Sequence, residues 1–148
     1  MKDITDNQAA SYGVFSHHQK MDNGELRFRL QFADGTSYIR TEGTATGAWQ
    51  NSHKHQAVHE MFIVQTGWIV FVELVDRVPI FKRYSAGDYF TTTPGYAHNM
   101  YVSADTIIQC VKYGTALKET ADWIAAPDLD ELTKKLSEQD LLTKIDRD

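Results

Sequence analysis

A chain of 148 residues with 42% apolar and 24% charged residues can build one domain around its own core. Its formal net charge of -5 argues against a nucleic-acid backbone or an anionic membrane surface as the main partner, since both call for a basic face. The single cysteine, Cys110, excludes an intrachain disulfide, and neither a secretory signal nor a membrane-spanning run is found, so a cytoplasmic protein is expected.

The first 24 residues are polar and close on the turn signal Asp22-Asn23-Gly24, with one edge strand expected around Tyr12 to Phe15. Short runs rich in β-branched and aromatic residues follow. LRFRLQF (26–32) alternates apolar and polar, and ADG (33–35) turns it into TSYIRTEGT (36–44). EMFIVQT (60–66) precedes Gly67, WIVFVELVD (68–76) and VPIFKRY (78–84). SAGD (85–88) leads to YFTTT (89–93), and Pro94-Gly95 turns the chain into AHNMYV (97–102) and then TIIQCVKYG (106–114). Eight or nine strands separated by tight turns predict an all-β fold, a sandwich or barrel with its core at about 25–114. Only the tail, about 120–145, changes period. PDLDELTKKLSEQDLLTKI (127–145) sets Leu129, Leu132 and Leu136 at helical spacing, with Asp128 available as a cap and Trp123 and Ile124 placed to dock the helix.

The stretch that demands a chemical explanation is HKHQAVHE (53–60), which holds three of the chain's six histidines and a carboxylate. A core has little use for so many imidazoles, because each buried ring needs polar partners. A divalent metal does have a use for them. His53 and His55 are two residues apart and share a face if extended. If residues 56 to 59 turn, Glu60 opens a new strand with Glu60, Phe62 and Val64 facing inward; if the strand runs on unbroken, His59 joins the histidine face instead. His98 follows a Pro-Gly turn and can return to the same place in a barrel. Two histidines, one glutamate and one further histidine leave positions open for substrate, water or dioxygen.

GAWQNSHKHQAVHEMFIVQTG (47–67) resembles the first motif of the cupin superfamily: a glycine, five residues, His-x-His, three or four residues, Glu, six residues, and glycine. Gly47, His53, His55, Glu60 and Gly67 meet every position. The second motif, Gly-x5-Pro-x-Gly-x2-His-x3-Asn, is met by Gly87, Gly95 and His98, with Thr93 at the usual proline and Val102 at the usual asparagine. The resemblance implies a cupin-type jelly-roll β-barrel, with a short C-terminal helix, and a metal (zinc, manganese, iron or nickel) on His53, His55, Glu60 and His98. It also implies that chains of this kind pair, so a homodimer is expected, with a small-molecule substrate and no nucleic-acid or membrane partner. Gly67 and Gly87 fall where tight turns need positive φ.

Such a fold carries many chemistries. The leading expectation is a non-redox, metal-dependent isomerase, epimerase or lyase acting on a small polar metabolite such as a sugar or keto acid, with His59 or Tyr101 as candidate base. The alternatives are a non-haem iron dioxygenase and a small-molecule binding or sensing module. The absence of a helix-turn-helix or basic segment counts against a sensor. Cys110 reads as a packed thiol, His17 and His18 as exposed loop residues, and most aromatics, including Trp49, Trp68, Tyr96 and Tyr101, as core. Arg27, Arg29 and Arg40 can reach an anionic substrate, but pairing with surface acids is the commoner outcome.

Overall fold

Alternating short strands and glycine turns build two antiparallel sheets, described by a computed structural model over residues 1–114 and 122–145. A first helix α1 (Asp6–Ala10), unforeseen in the sequence, is closed by a capping box between Thr5 and Gln8. The strands are β1 (Val14–Lys20), β2 (Leu26–Phe32), β3 (Ser37–Glu42), β4 (Ala48–Trp49), β5 (His53–Lys54), β6 (His59–Thr66), β7 (Trp68–Val75), β8 (Val78–Ser85), β9 (Tyr89–Thr91), β10 (Ala97–Val102), β11 (Ile107–Tyr113) and β12 (Ile124–Ala125). Two helices, α2 (Pro127–Thr133) and α3 (Glu138–Ile145), follow. One sheet runs β1-β2-β3-β11-β6-β9; the other runs β12-β5-β10-β7-β8, with β4 also on β10. Among the described residues no helix is long and apolar enough to cross a membrane.

Strand parity sorts the interior into an apolar end and a polar end. From β6 and β11, Phe62, Val64, Ile108 and Cys110 face Ile69, Phe71, Met100 and Val102 of β7 and β10, and these eight form the principal core. One pair further along, the register sets Lys112 opposite Glu60, and His98 precedes Met100 on the same face of β10. Across β6, β11 and β10 the interior is therefore oily at one end and carries Glu60, Lys112 and His98 at the other. Gly67 joins β6 to β7 at φ +74°, where a Cβ would overlap the Thr106 side chain; Gly87 also takes positive φ, at +93°.

The C-terminal tail corrects the expectation of one helix over 127–145; residues 120 and 121 of that expected tail lie outside the described residues. Two helices form because Ser137 restarts the chain, donating its own backbone N–H and hydroxyl to Asp140 and accepting from the Asp140 N–H. Asp128 is not a cap: Ala126 occupies that position without a side-chain bond, and Pro127 opens the helix. Leu129 and Leu141 bury against Val70, Val72 and Tyr101, making a second core on the outer face of the β7–β10 sheet. Covered on both faces, β7 can afford its nearly unbroken apolar run. His17 and His18 are exposed, but in strand β1 rather than a loop.

Candidate metal centre

Strands β5, β6 and β10 and the bend after β5 deliver four donor side chains to one point. The chain turns between β5 and β6, so Glu60, Phe62 and Val64 are the buried face of β6 and His59 points away. The bend is held by the Asp122 carboxylate, which accepts from the backbone N–H of Gln56, Ala57 and Val58 at 2.7–2.9 Å. His53 and His98 are cross-strand partners on β5 and β10. Donor atoms of His53, His55, Glu60 and His98 all lie within 4.8 Å of one another, and all but the partly buried His53 are buried.

The orientation of the rings is specified by the backbone. Nδ1 of His53 donates to the Asn51 carbonyl at 3.0 Å, Nδ1 of His98 to the Tyr96 carbonyl at 3.3 Å, and Nδ1 of His55 to the Asp122 carbonyl. A carbonyl only accepts, so each Nδ1 carries the proton and each Nε2 presents a lone pair inward. His98 Nε2 and Glu60 Oε2 are then two acceptors only 3.1 Å apart. Together with His53 Nε2 they are buried and have no hydrogen-bond partner. Leaving such atoms unpaired costs about 1–3 kcal/mol each, which a cation held among them would offset. Three imidazole nitrogens and a carboxylate are a suitable donor set for a divalent transition metal, and the residues present fit one.

Electrostatics favour the ligand forms. Burial, with the His98 ring beside it, lowers the His53 pKa to about 3, against the opposing pull of Glu60, so this ring stays neutral. Burial would raise the Glu60 pKa, but its polar surroundings, with the Lys112 ammonium against Oε1, hold it well below the usual carboxylate range. Lys112 Nζ sits 2.7 Å from Glu60 Oε1 and donates to His55 Nε2 at 3.1 Å. It covers two of the donors and leaves the other three atoms bare.

Lys112 and Asp122 were both missed in the sequence. The first was legible in principle, because Ile108, Cys110 and Lys112 share a strand face. The second was not, since 67 residues separate Asp122 from His55. Trp123, expected only to dock a helix, stacks on the His53 ring at 5.4 Å between centroids. His59 stacks on Tyr113 at 5.4 Å and is not among the converging groups. Tyr101 lies on the opposite face of β10 from His98, in the second core, and donates to Glu138 Oε2 at 2.8 Å. Neither candidate base is thus brought to the metal cluster. Cys110 is packed in the core, where burial pushes its thiol pKa up. Arg40 pairs with Glu42 at 3.0 Å, as surface pairing predicts, and Arg27 pairs with the buried Glu25 at 3.0 Å.

No protein-family model matches the sequence, and no curated protein is significantly similar to it. Solved structures are similar. Oxalate decarboxylase from Bacillus subtilis, a protein with Mn(II) centres, superposes with a TM-score of 0.62 at 12% identity over 77% of this chain. This chain spans only 31% of that one. KdgF from a Halomonas species gives 0.55 at 17% identity, covering 68% of this chain and 87% of its own. A Klebsiella pneumoniae protein with a double-stranded beta-helix domain gives 0.58 at 19% identity, covering 73% and 89%. Two facing antiparallel sheets and this common superposition show that the chain has the cupin, or double-stranded β-helix, fold.

Proposed function

We propose that the chain is a metal-dependent, non-redox enzyme, an isomerase, epimerase or lyase, that acts on a small polar metabolite. The observation that carries this reading is the convergence of His53 Nε2, His98 Nε2 and Glu60 Oε2, buried and unpartnered, on one point at the wall of a cavity of about 730 Å³. Mn(II) centres in a protein of the same fold support the choice of a divalent ion. When bound, such an ion polarises a carbonyl or hydroxyl oxygen. The chain's own residues do the rest. The three backbone carbonyls fix the imidazole tautomers, Asp122 holds the bend that aims His55, and Trp123 shields the His53 ring from water. Lys112, which lines the cavity and whose ammonium reaches the cluster, is the group placed to hold or hand over a proton beside a bound substrate.

The test is elemental analysis of the tag-free chain beside its His98→Ala variant. About one equivalent of manganese, zinc or nickel in the wild type, with at least a hundredfold loss of affinity in the variant and an unchanged circular dichroism spectrum, is the expected result. Equal metal content in the two would remove the ligand assignment. Iron at one per chain, with oxygen uptake in the presence of organic acids, would move the reading to a dioxygenase.

A further inference from the structure

Strand β2 is built inside out. Its apolar residues Leu26, Phe28 and Leu30 are 36–38% exposed, while Arg27 and Arg29 are the less exposed set and line the cavity with Gln31. A strand that closes a core does the reverse. The register shows what these side chains face. Gln31, Ser37, Lys112 and Glu60 are successive cross-strand partners from β2 to β6, a polar row that ends at the metal cluster. Arg29 belongs to the next row with Ile39, Cys110 and Phe62, and Arg27 to the one beyond.

The two guanidiniums are incompletely matched. Arg27 gives Nη2 to Glu25, but its Nε is buried with no partner. Arg29 reaches Gln19 Oε1 at 2.8 Å and Met21 Sδ at 3.8 Å, and no carboxylate pairs with it among the described residues. Burial and the Arg27 charge beside it both lower the Arg29 pKa, so the pair is an unfavourable concentration of positive charge as it stands. Of the acids that line the cavity, Glu60 is engaged with Lys112 and the cluster, Asp122 with three backbone N–H groups, and Asp22 forms no ion pair with either arginine. The Arg29 fork, which no carboxylate pairs with among the described residues, and the unpartnered Nε of Arg27 face the cavity and match a carboxylate, which accepts two parallel N–H bonds.

We propose that the inner face of β2 is an anion subsite, in which Arg29, supported by Arg27, binds a carboxylate of a small organic acid whose other end extends toward the metal cluster. The subsite narrows the polar metabolite proposed above to an acid, and it rests on that reading only for the far end of the ligand. β2 stands three strands from β6, about 14 Å along the sheet. Long side chains reach inward from both, which leaves a gap suited to a metabolite of several carbons.

Calorimetric titration of the full chain with glutarate, its neutral analogue glutaramide, inorganic phosphate and zinc tests this, with chelated and zinc-loaded protein in parallel. Glutarate is expected to bind at least tenfold more tightly than glutaramide. Arg29→Gln should lose at least tenfold in glutarate affinity with unchanged zinc affinity. Arg29→Lys, keeping the charge without the fork, should fall between, and Arg40→Gln on the outer face should match the wild type. Glutarate binding that is no better than glutaramide, that survives Arg29→Gln, or that is weaker than phosphate binding would overturn the subsite. Zinc uptake without glutarate binding would likewise overturn it and leave the metal reading standing. Arg29-dependent glutarate binding by a chain that takes up no zinc would support the subsite and sink the metal reading alone.

Discussion

Strands β2 and β7 are similar in length and each belongs to one of the two sheets of the barrel, yet they are opposites. In β7, Ile69 and Phe71 face the principal core and Val70 and Val72 face the helices, so every side of the strand is oil. In β2, Arg27 and Arg29 are less exposed than their neighbours and line the cavity with Gln31, while Leu26, Phe28 and Leu30 are exposed. The difference teaches that a strand's pattern records what covers each of its faces. β7 is a structural wall with protein on both sides. β2 is the wall of a cavity that Arg27, Arg29 and Gln31 line, and under the proposal above that polarity is matched by the ligand. Stability should therefore reside in β7 and ligand binding in β2. Val72→Asp, at a fully buried position facing α2 and α3, should cost more than about 4 kcal/mol in chemical denaturation, because it buries an unpaired charge. Arg29→Leu should cost less than about 1 kcal/mol, since no buried ion pair is broken. Equal losses at the two sites would end the distinction between a wall and a cavity.

The donor cluster of His53, His55, Glu60 and His98 sharpens the contrast, because its support comes from outside both strands. Asp122 touches no inward-facing ligand atom with its carboxylate, but it fixes three successive N–H groups of the bend that carries His55. Asp122→Ala should lower metal affinity tenfold to a hundredfold, the range for removing a group that orients a ligand. It should leave the denaturation midpoint of chelated protein within about 1 kcal/mol of wild type. A loss of fold in the chelated variant would instead make the 122–125 segment part of the structural wall.

How much of this was legible in the sequence follows from which interactions are local. The turn chemistry, the strand parity of Glu60, Phe62 and Val64, and the spacing of His53, His55 and Glu60 are set within a few residues; His98 comes from the distant β10, and the structure brings the four side chains together. The inversion of β2 was written in LRFRLQF, but alternation does not state which face is inward; only the partners across β3 and β11 decide it. Lys112 could be found only once β11 was known to lie beside β6, and Asp122 only once the chain had closed over the bend. Tyr101 looked reactive because a tyrosine near a metal motif has a useful proton. Parity places its ring with Trp49 and Trp68, and burial with its bond to Glu138 raises its pKa to about 12. The break in the C-terminal helix hid in SEQD, where Ser137 and Asp140 cap each other despite an unbroken leucine spacing.

The smallest expected effect separates the cluster from the rest of the interior by its response to acid. An unfolded His53 titrates near 6.5, whereas the folded one, desolvated and beside His98, does so at about 3. Between these values the unfolded chain binds a proton that the folded chain refuses, so stability must fall as the pH drops from 6.5 toward 3. Above 6.5 both forms are neutral at this position and the contribution is flat. In chelated protein the slope of unfolding free energy against pH over this window should therefore be shallower for His53→Gln than for wild type, with the two curves parallel above pH 7. Val72→Asp and Arg29→Leu leave this group untouched and should keep the wild-type slope contributed by His53. Identical slopes in wild type and His53→Gln would mean that His53 takes up its proton in the folded chain, leaving no lone pair on Nε2 to face the cluster.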